Sequence, residues 1–142
     1  MTNDPFASKL HWLLNDFADR MDDVRRVVLL SRDGLVMAAS RSVSHADAEY
    51  LSALSAGLLS LAHGARDHFE AGSVHQTIVE MSRSLLFVTP AGSGSCLAVL
   101  SDASANAGMV SYETAMLIKR LQQHMAVAPR SAPSGPGRGD TA

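Results

Sequence analysis

From Ser44 to Phe69 the chain reads SHADAEYLSALSAGLLSLAHGARDHF, one long helix that is apolar or small around most of its circumference. Ser44 stands three residues before Asp47, a Ser-x-x-acid pattern whose side chains satisfy free backbone N–H groups at a helix start. At helical spacing Leu51, Leu54, Leu58, Leu61, Ala65 and Phe69 form one broad apolar stripe, the side expected to face the chain's own sheet. Beside it runs a row of small residues, Ala46, Ala53, Gly57, Ser60 and Gly64. A glycine inside a helix costs roughly 1 kcal/mol against alanine, so two of them call for a compensating contact. Close approach of another backbone supplies one. Either a further element of the same chain or the helix of a two-fold mate can fill that row.

With 142 residues the chain is long enough for one core and short for two. Hydrophobic residues make up 46% and charged residues 18%, which fits a globular domain. A net charge of −2, with Lys and Arg single or paired, gives no electrostatic footprint for nucleic acid. The lone Cys96 excludes an internal disulfide and fits a reducing cytoplasm. The first residues, MTNDPFASKLHW, lack the layout of a signal peptide. No apolar run reaches the ~20 residues of a membrane span, so direct insertion is not expected.

Around the long helix the pattern predicts seven further elements. Phe6 to Met21 spaces Leu10, Leu13, Leu14, Phe17 and Met21 at three and four residues, a helix with Asp4 as N-cap and Pro5 in its first turn. Val24 to Ser31 and Leu35 to Ser40 read as strands joined by the turn Arg32-Asp33-Gly34. After an Ala71-Gly72 break, Val74 to Met81 alternates, with His75, Thr77, Val79 and Met81 as its more apolar face. Ser84 to Thr89 and Cys96 to Ser101 follow, flanking the loop Pro90 to Gly94. The continuous apolar run of the last strand predicts a central position, covered on both faces. Met109 to Met125 is the final helix, with Val110, Tyr112, Met116, Leu117, Leu121 and Met125 toward the sheet. The order is αββαβββα, an α/β (α+β) sandwich whose single five-stranded antiparallel sheet carries helices on both faces. Residues 6–126 form the domain, and residues 127–142, rich in Pro, Gly and Ser, are expected to be disordered.

No catalytic constellation emerges. Gly92 to Cys96 has glycines without the lysine of a phosphate loop and opens no helix. His63 and His68 are five apart, against the four typical of zinc-binding helix pairs, and the other four histidines are scattered. Cys96 lies in the most apolar strand, where burial raises a thiol pKa and makes it unreactive. Asp16, Asp19, Asp22 and Asp23 read as a solvated helix end. No metal, cofactor or catalytic residue is assigned.

The element order, the hairpin VVLLSRDGLVMAAS and the strand pair QTIVEMSRSLLFVTPAGSGSCLAVL resemble the Roadblock (dynein light chain type) domain. The segments that carry the resemblance are Leu29-Leu-Ser-Arg-Asp-Gly-Leu35, Val79-Glu-Met-Ser-Arg83 and Gly94-Ser-Cys-Leu-Ala-Val99, and it extends from about Lys9 to Met125. The chain is most similar to actinobacterial members encoded beside a sensor-kinase-like protein and a small Ras-like GTPase.

That resemblance implies a Roadblock/profilin-like fold and a non-enzymatic, cytoplasmic scaffold that forms a homodimer and regulates a small Ras-like GTPase. Some prokaryotic members act as GTPase-activating partners, without an arginine finger of their own. A sensor-kinase-like protein is a further implied partner, and membrane recruitment would run through partners. In the family the second helix and third strand make the dimer seam, which here corresponds to Ala46, Ala53, Gly57, Ser60, Gly64, His75, Thr77 and Val79. The outward side of the helix, taken as Ser52, Ser55, Leu59, His63 and Arg66, is the expected GTPase surface. The alternative is a small-molecule-sensing module of profilin or PAS-like architecture, with a pocket beside the sheet.

Overall fold

The computed structural model describes residues 4–92 and 94–126. Eight elements follow in chain order: α1 (Pro5–Arg20), β1 (Val24–Ser31), β2 (Val36–Ala39), α2 (His45–Phe69), β3 (Thr77–Glu80), β4 (Ser84–Gly92), β5 (Ser95–Asp102) and α3 (Ala107–Ala126). The strands form one antiparallel sheet in the order β2-β1-β5-β4-β3. The expected αββαβββα sandwich is therefore the observed fold. The expected tail, residues 127–142, lies outside the described residues.

β5 occupies the centre, as its uninterrupted apolar run requires. Leu97 and Val99 point to one face, and Cys96 and Ala98 to the other. On the first face Val27, Leu29, Phe87, Leu97 and Val99 meet Leu10, Leu13, Leu14 and Phe17 of α1, and Val110, Leu117 and Leu121 of α3. On the second, Val28, Leu30, Leu86, Val88, Cys96 and Ala98 lie under α2. A sheet apolar on both faces must be covered on both.

Local chemistry sets the helix ends. The Asp4 carboxylate accepts the Phe6 N–H at 3.0 Å, with Pro5 at the first helical position. Ser44 Oγ accepts the Asp47 N–H at 3.1 Å. α2 ends at Phe69, slightly before the Ala71-Gly72 break, because Glu70 turns left-handed (φ 52°) and donates its N–H to Arg66 O. α3 begins earlier than Met109 because Asn106 Oδ1 accepts the Met109 N–H at 2.9 Å. Tyr112, expected to face the sheet, is exposed; it is two positions from Val110, on the other side of the helix.

β2 and β3 are the edges, and both are shorter than their apolar patterns. β3 pairs with β4 only from Thr77 opposite Val88 to Glu80 opposite Leu85. His75, expected within this strand, precedes the ladder.

Candidate interaction surface

The phase of α2 decides which residues a partner can reach. The row against the sheet is Ala48, Leu51, Ser52, Ser55 and Leu59. This corrects two expectations together. Of the leucine stripe assigned to the sheet, Leu51 is buried and Leu58 half-buried, whereas Leu54, Leu61, Ala65 and Phe69 are exposed. Of the set assigned to a GTPase, Ser52, Ser55 and Leu59 are buried beneath the helix and cannot serve as its outward surface.

The physical reason is size. The β1–β2 turn packs against α2: a Cβ on Gly34 would be in ordinary contact, 3.5 Å from Ala53 Cα and 3.6 Å from Ser52 O. Gly34 itself needs its positive φ of 86° for the turn. The buried row of the helix mixes small residues with Leu51 and Leu59. The Ser52 and Ser55 hydroxyls are fully enclosed under the helix without a hydrogen-bond partner. Serine acts as a small residue in this row, and its polarity misdirects a hydropathy reading.

The outward face is then defined. Ala46, Ala53, Gly57, Ser60 and Gly64 are exposed, and nothing lies within 4 Å of where a Cβ on Gly57 or Gly64 would stand. Along one flank run the exposed Tyr50, Leu54 and Leu61. Tyr50 and Leu54 also line a groove of about 420 Å³ that reaches Met81 beside β3, with Leu86 and Leu100 in its floor. Arg26 and Asp47, 3.7 Å apart, stand at the same groove. The outer edge of β3 lacks a neighbouring strand among the described residues. Thr77 and Val79, opposite Val88 and Leu86, lie on the α2 side of the sheet and are half-buried. The opposite flank of α2 differs in character. His63 and Arg66, both half-buried, line a polar cleft of similar size with Arg32, Ser60 and Asp67, and Arg66 Nη2 pairs with Asp67 at 2.9 Å.

A Roadblock/LC7 domain model matches residues 10–101. A crystallised Roadblock/LC7 domain from Streptomyces avermitilis is 39% identical, superposes with a TM-score of 0.78, and covers 82% of this chain and 98% of its own. The chain belongs to the Roadblock/LC7 family. MglB of Myxococcus xanthus shares the fold at 16% identity (TM-score 0.77), covering 93% of this chain and 98% of its own. Schizosaccharomyces pombe profilin shares it at 14% identity (TM-score 0.58), covering 80% and 96%. No curated protein matches the chain.

In this Roadblock/LC7 chain the shifted titratable groups have structural causes, burial for Cys96 and ion pairs for Asp16 and Asp102. Burial pushes the Cys96 thiol up to about 11, so it stays protonated and inert at neutral pH. Arg20 Nε at 3.0 Å and Arg120 Nη1 at 3.3 Å hold the Asp16 carboxyl below its ordinary value. Asp102 is lowered in the same way by the Arg25 guanidinium, which ties the end of β5 to β1. Among the described residues no group of three His, Cys, Asp or Glu side chains converges on a metal-sized site. No helix of the described residues is long and apolar enough to cross a membrane.

The seam residues expected from the sequence thus fall on open surface, His75 included, with Thr77 and Val79 half-covered. Tyr50, Leu54 and Leu61 were missed as surface groups. Their signal was present as large apolar residues next to the small row, and only the unknown phase of the helix hid it.

Proposed function

We propose that this chain is a homodimeric, non-enzymatic scaffold that binds and regulates a small Ras-like GTPase. The observation that carries the reading is the exposed outward row Ala46, Ala53, Gly57, Ser60 and Gly64, open at its two glycines and flanked by Leu54 and Leu61. A solvent-facing helix has no use for two glycines and two exposed leucines side by side. A second copy of α2 crossing there gains backbone contact along the small row and covers the leucines. The nearby β3 edge extends the same seam, pairing with its mate so that two sheets become one and an aggregation-prone edge is closed. Thr77 and Val79 then meet the mate beneath the paired helices, with His75 at the entrance to the strand.

The GTPase docks over the paired helices, and His63 and Arg66 with their polar cleft form the border of its footprint. Membership of the Roadblock/LC7 family supports a regulatory partner role in place of catalysis. The deciding experiment mixes the purified chain with a small Ras-like GTPase of the same genome, loaded with GDP or with a GTP analogue. Light scattering should give a complex of two scaffold chains with GTPase in at least one nucleotide state. A scaffold that stays free in both states ends the proposal.

A further inference from the structure

We propose that the α1–α3 face, on the side of the sheet opposite α2, is a second docking surface that takes an acidic segment of a protein partner through Trp12. The chain's single tryptophan is 50% exposed on the outer side of α1. Its indole is held in place: Lys9 Nζ lies 4.6 Å from the ring centroid, and Arg120 Cζ of α3 lies 5.7 Å from it. Exposing half of a tryptophan wastes burial that a core position would supply. A tryptophan braced by cations from two helices is the type of side chain that dominates binding at protein interfaces.

The surface around it is shaped. On one side Lys9, Leu13, Arg120, Gln123 and His124 line a groove of about 370 Å³ that contains no carboxylate. On the other, Ala7, Ser8, His11 and Asn15 border Trp12 in a groove of about 390 Å³. His124 is fixed in the first groove by stacking on Phe6 at 4.6 Å and by an Nε2 contact of 3.1 Å with Phe6 O. Asp16 is the acidic neighbour, and its carboxylate is shared between Arg20 Nε at 3.0 Å and Arg120 Nη1 at 3.3 Å. Lys9 has no carboxylate within ion-pair distance among the described residues.

Charge complementarity therefore selects an acidic occupant, and two grooves, one bordered by the indole and the other by the cations that brace it, select a side-chain-bearing segment over a flat bilayer. A carboxylate seats between Lys9 and Arg120, and an apolar side chain packs on the exposed indole. This surface is independent of the α2 seam and leaves it open for the proposed dimer.

Trp12 reports on its own occupancy, since all tryptophan fluorescence comes from this face. Random dodecapeptides displayed on phage are selected on the full-length chain alone, and the Lys9→Glu/Arg120→Glu double variant is kept for the binding measurements. Melting curves confirm that the double variant and Trp12→Ala remain folded. The surviving peptides, synthesised, should carry carboxylates beside a leucine or aromatic residue and should shift Trp12 emission on titration. Their affinity should fall at least roughly tenfold in the double variant and in Trp12→Ala, and should weaken with salt. Peptides that bind the variants equally well, or no peptide that shifts the emission, overturns the proposal. So does an emission shift given only by vesicles of 30% phosphatidylserine in phosphatidylcholine, which would make the face a lipid-binding one.

Discussion

Two residues apart on α2, Leu59 is 5% exposed and Leu61 is 75% exposed, so the same side chain does opposite work at the two sites. Leu59 belongs to the core with Val28, Leu30, Cys96 and Ala98, while Leu61 adds apolar area to the outward face. Leu59→Ala should cost about 2–4 kcal/mol of unfolding free energy, a transfer loss plus a cavity. Leu61→Ala should change monomer stability by less than about 0.5 kcal/mol. Urea titrations of the two variants check this contrast. Equal losses would mean that the helix sits in another phase.

The row beneath α2 gives a prediction of unusual sign. The Ser55 hydroxyl is buried without a partner, so removing it removes a desolvated polar group while adding a better helix former. Ser55→Ala should stabilise the chain by about 1 kcal/mol. Ser55→Leu should destabilise it by more than that, because the helix must lift from the sheet to make room. The two thermal midpoints should move in opposite directions. A lower midpoint for Ser55→Ala would reveal a hydrogen bond that the hydroxyl makes in solution.

Those serines also show how far the sequence could be read. Element order, the central place of β5 and the helix starts at Asp4 and Ser44 follow from continuous apolar runs and capping groups, which act over a few residues. The face that α2 turns to the sheet does not follow from such local chemistry. Leucine occurs all around this helix, so hydrophobicity has little phase there, and the contacts that fix the rotation come from the sheet and the Gly34 turn, distant in sequence. The Gly34 turn lies at ordinary contact distance from Ala53 and Ala56 on the flank of the helix, and the row under it combines Ala48, Ser52 and Ser55 with Leu51 and Leu59. The candidate surface was legible as a composition, small residues beside large apolar ones, and only half legible as a list of residues.

Acid sensitivity should trace to carboxylates lowered by arginine. Asp16 between Arg20 and Arg120 has its folded pKa below the ordinary 3.8. Its stabilising effect is therefore complete above 3.8 and fades as pH falls through the folded value. Asp16→Asn should lower the urea midpoint at pH 7, and the gap to the parent protein should close below about pH 4. A gap that persists unchanged at pH 2 would show that charge is not what Asp16 contributes. Added salt should narrow the gap at pH 7, since Arg20 and Arg120 are both partly exposed.

Gly57 separates folding from assembly. No atom stands within 4 Å of where its Cβ would be, so Gly57→Leu should fit the monomer and raise helix stability by about 0.5–1 kcal/mol. In the proposed dimer the same leucine falls where two backbones approach, and it should hold the helices apart. Sedimentation at micromolar concentration should then show the parent chain as a dimer and the variant as a monomer with a thermal midpoint at least as high under monomeric conditions. Gly57→Ala, adding a single methyl, should weaken the dimer by a smaller factor and so order the series by size. A Gly57→Leu chain that keeps its dimer mass would move the seam away from the outward row of α2, toward the β3 edge alone.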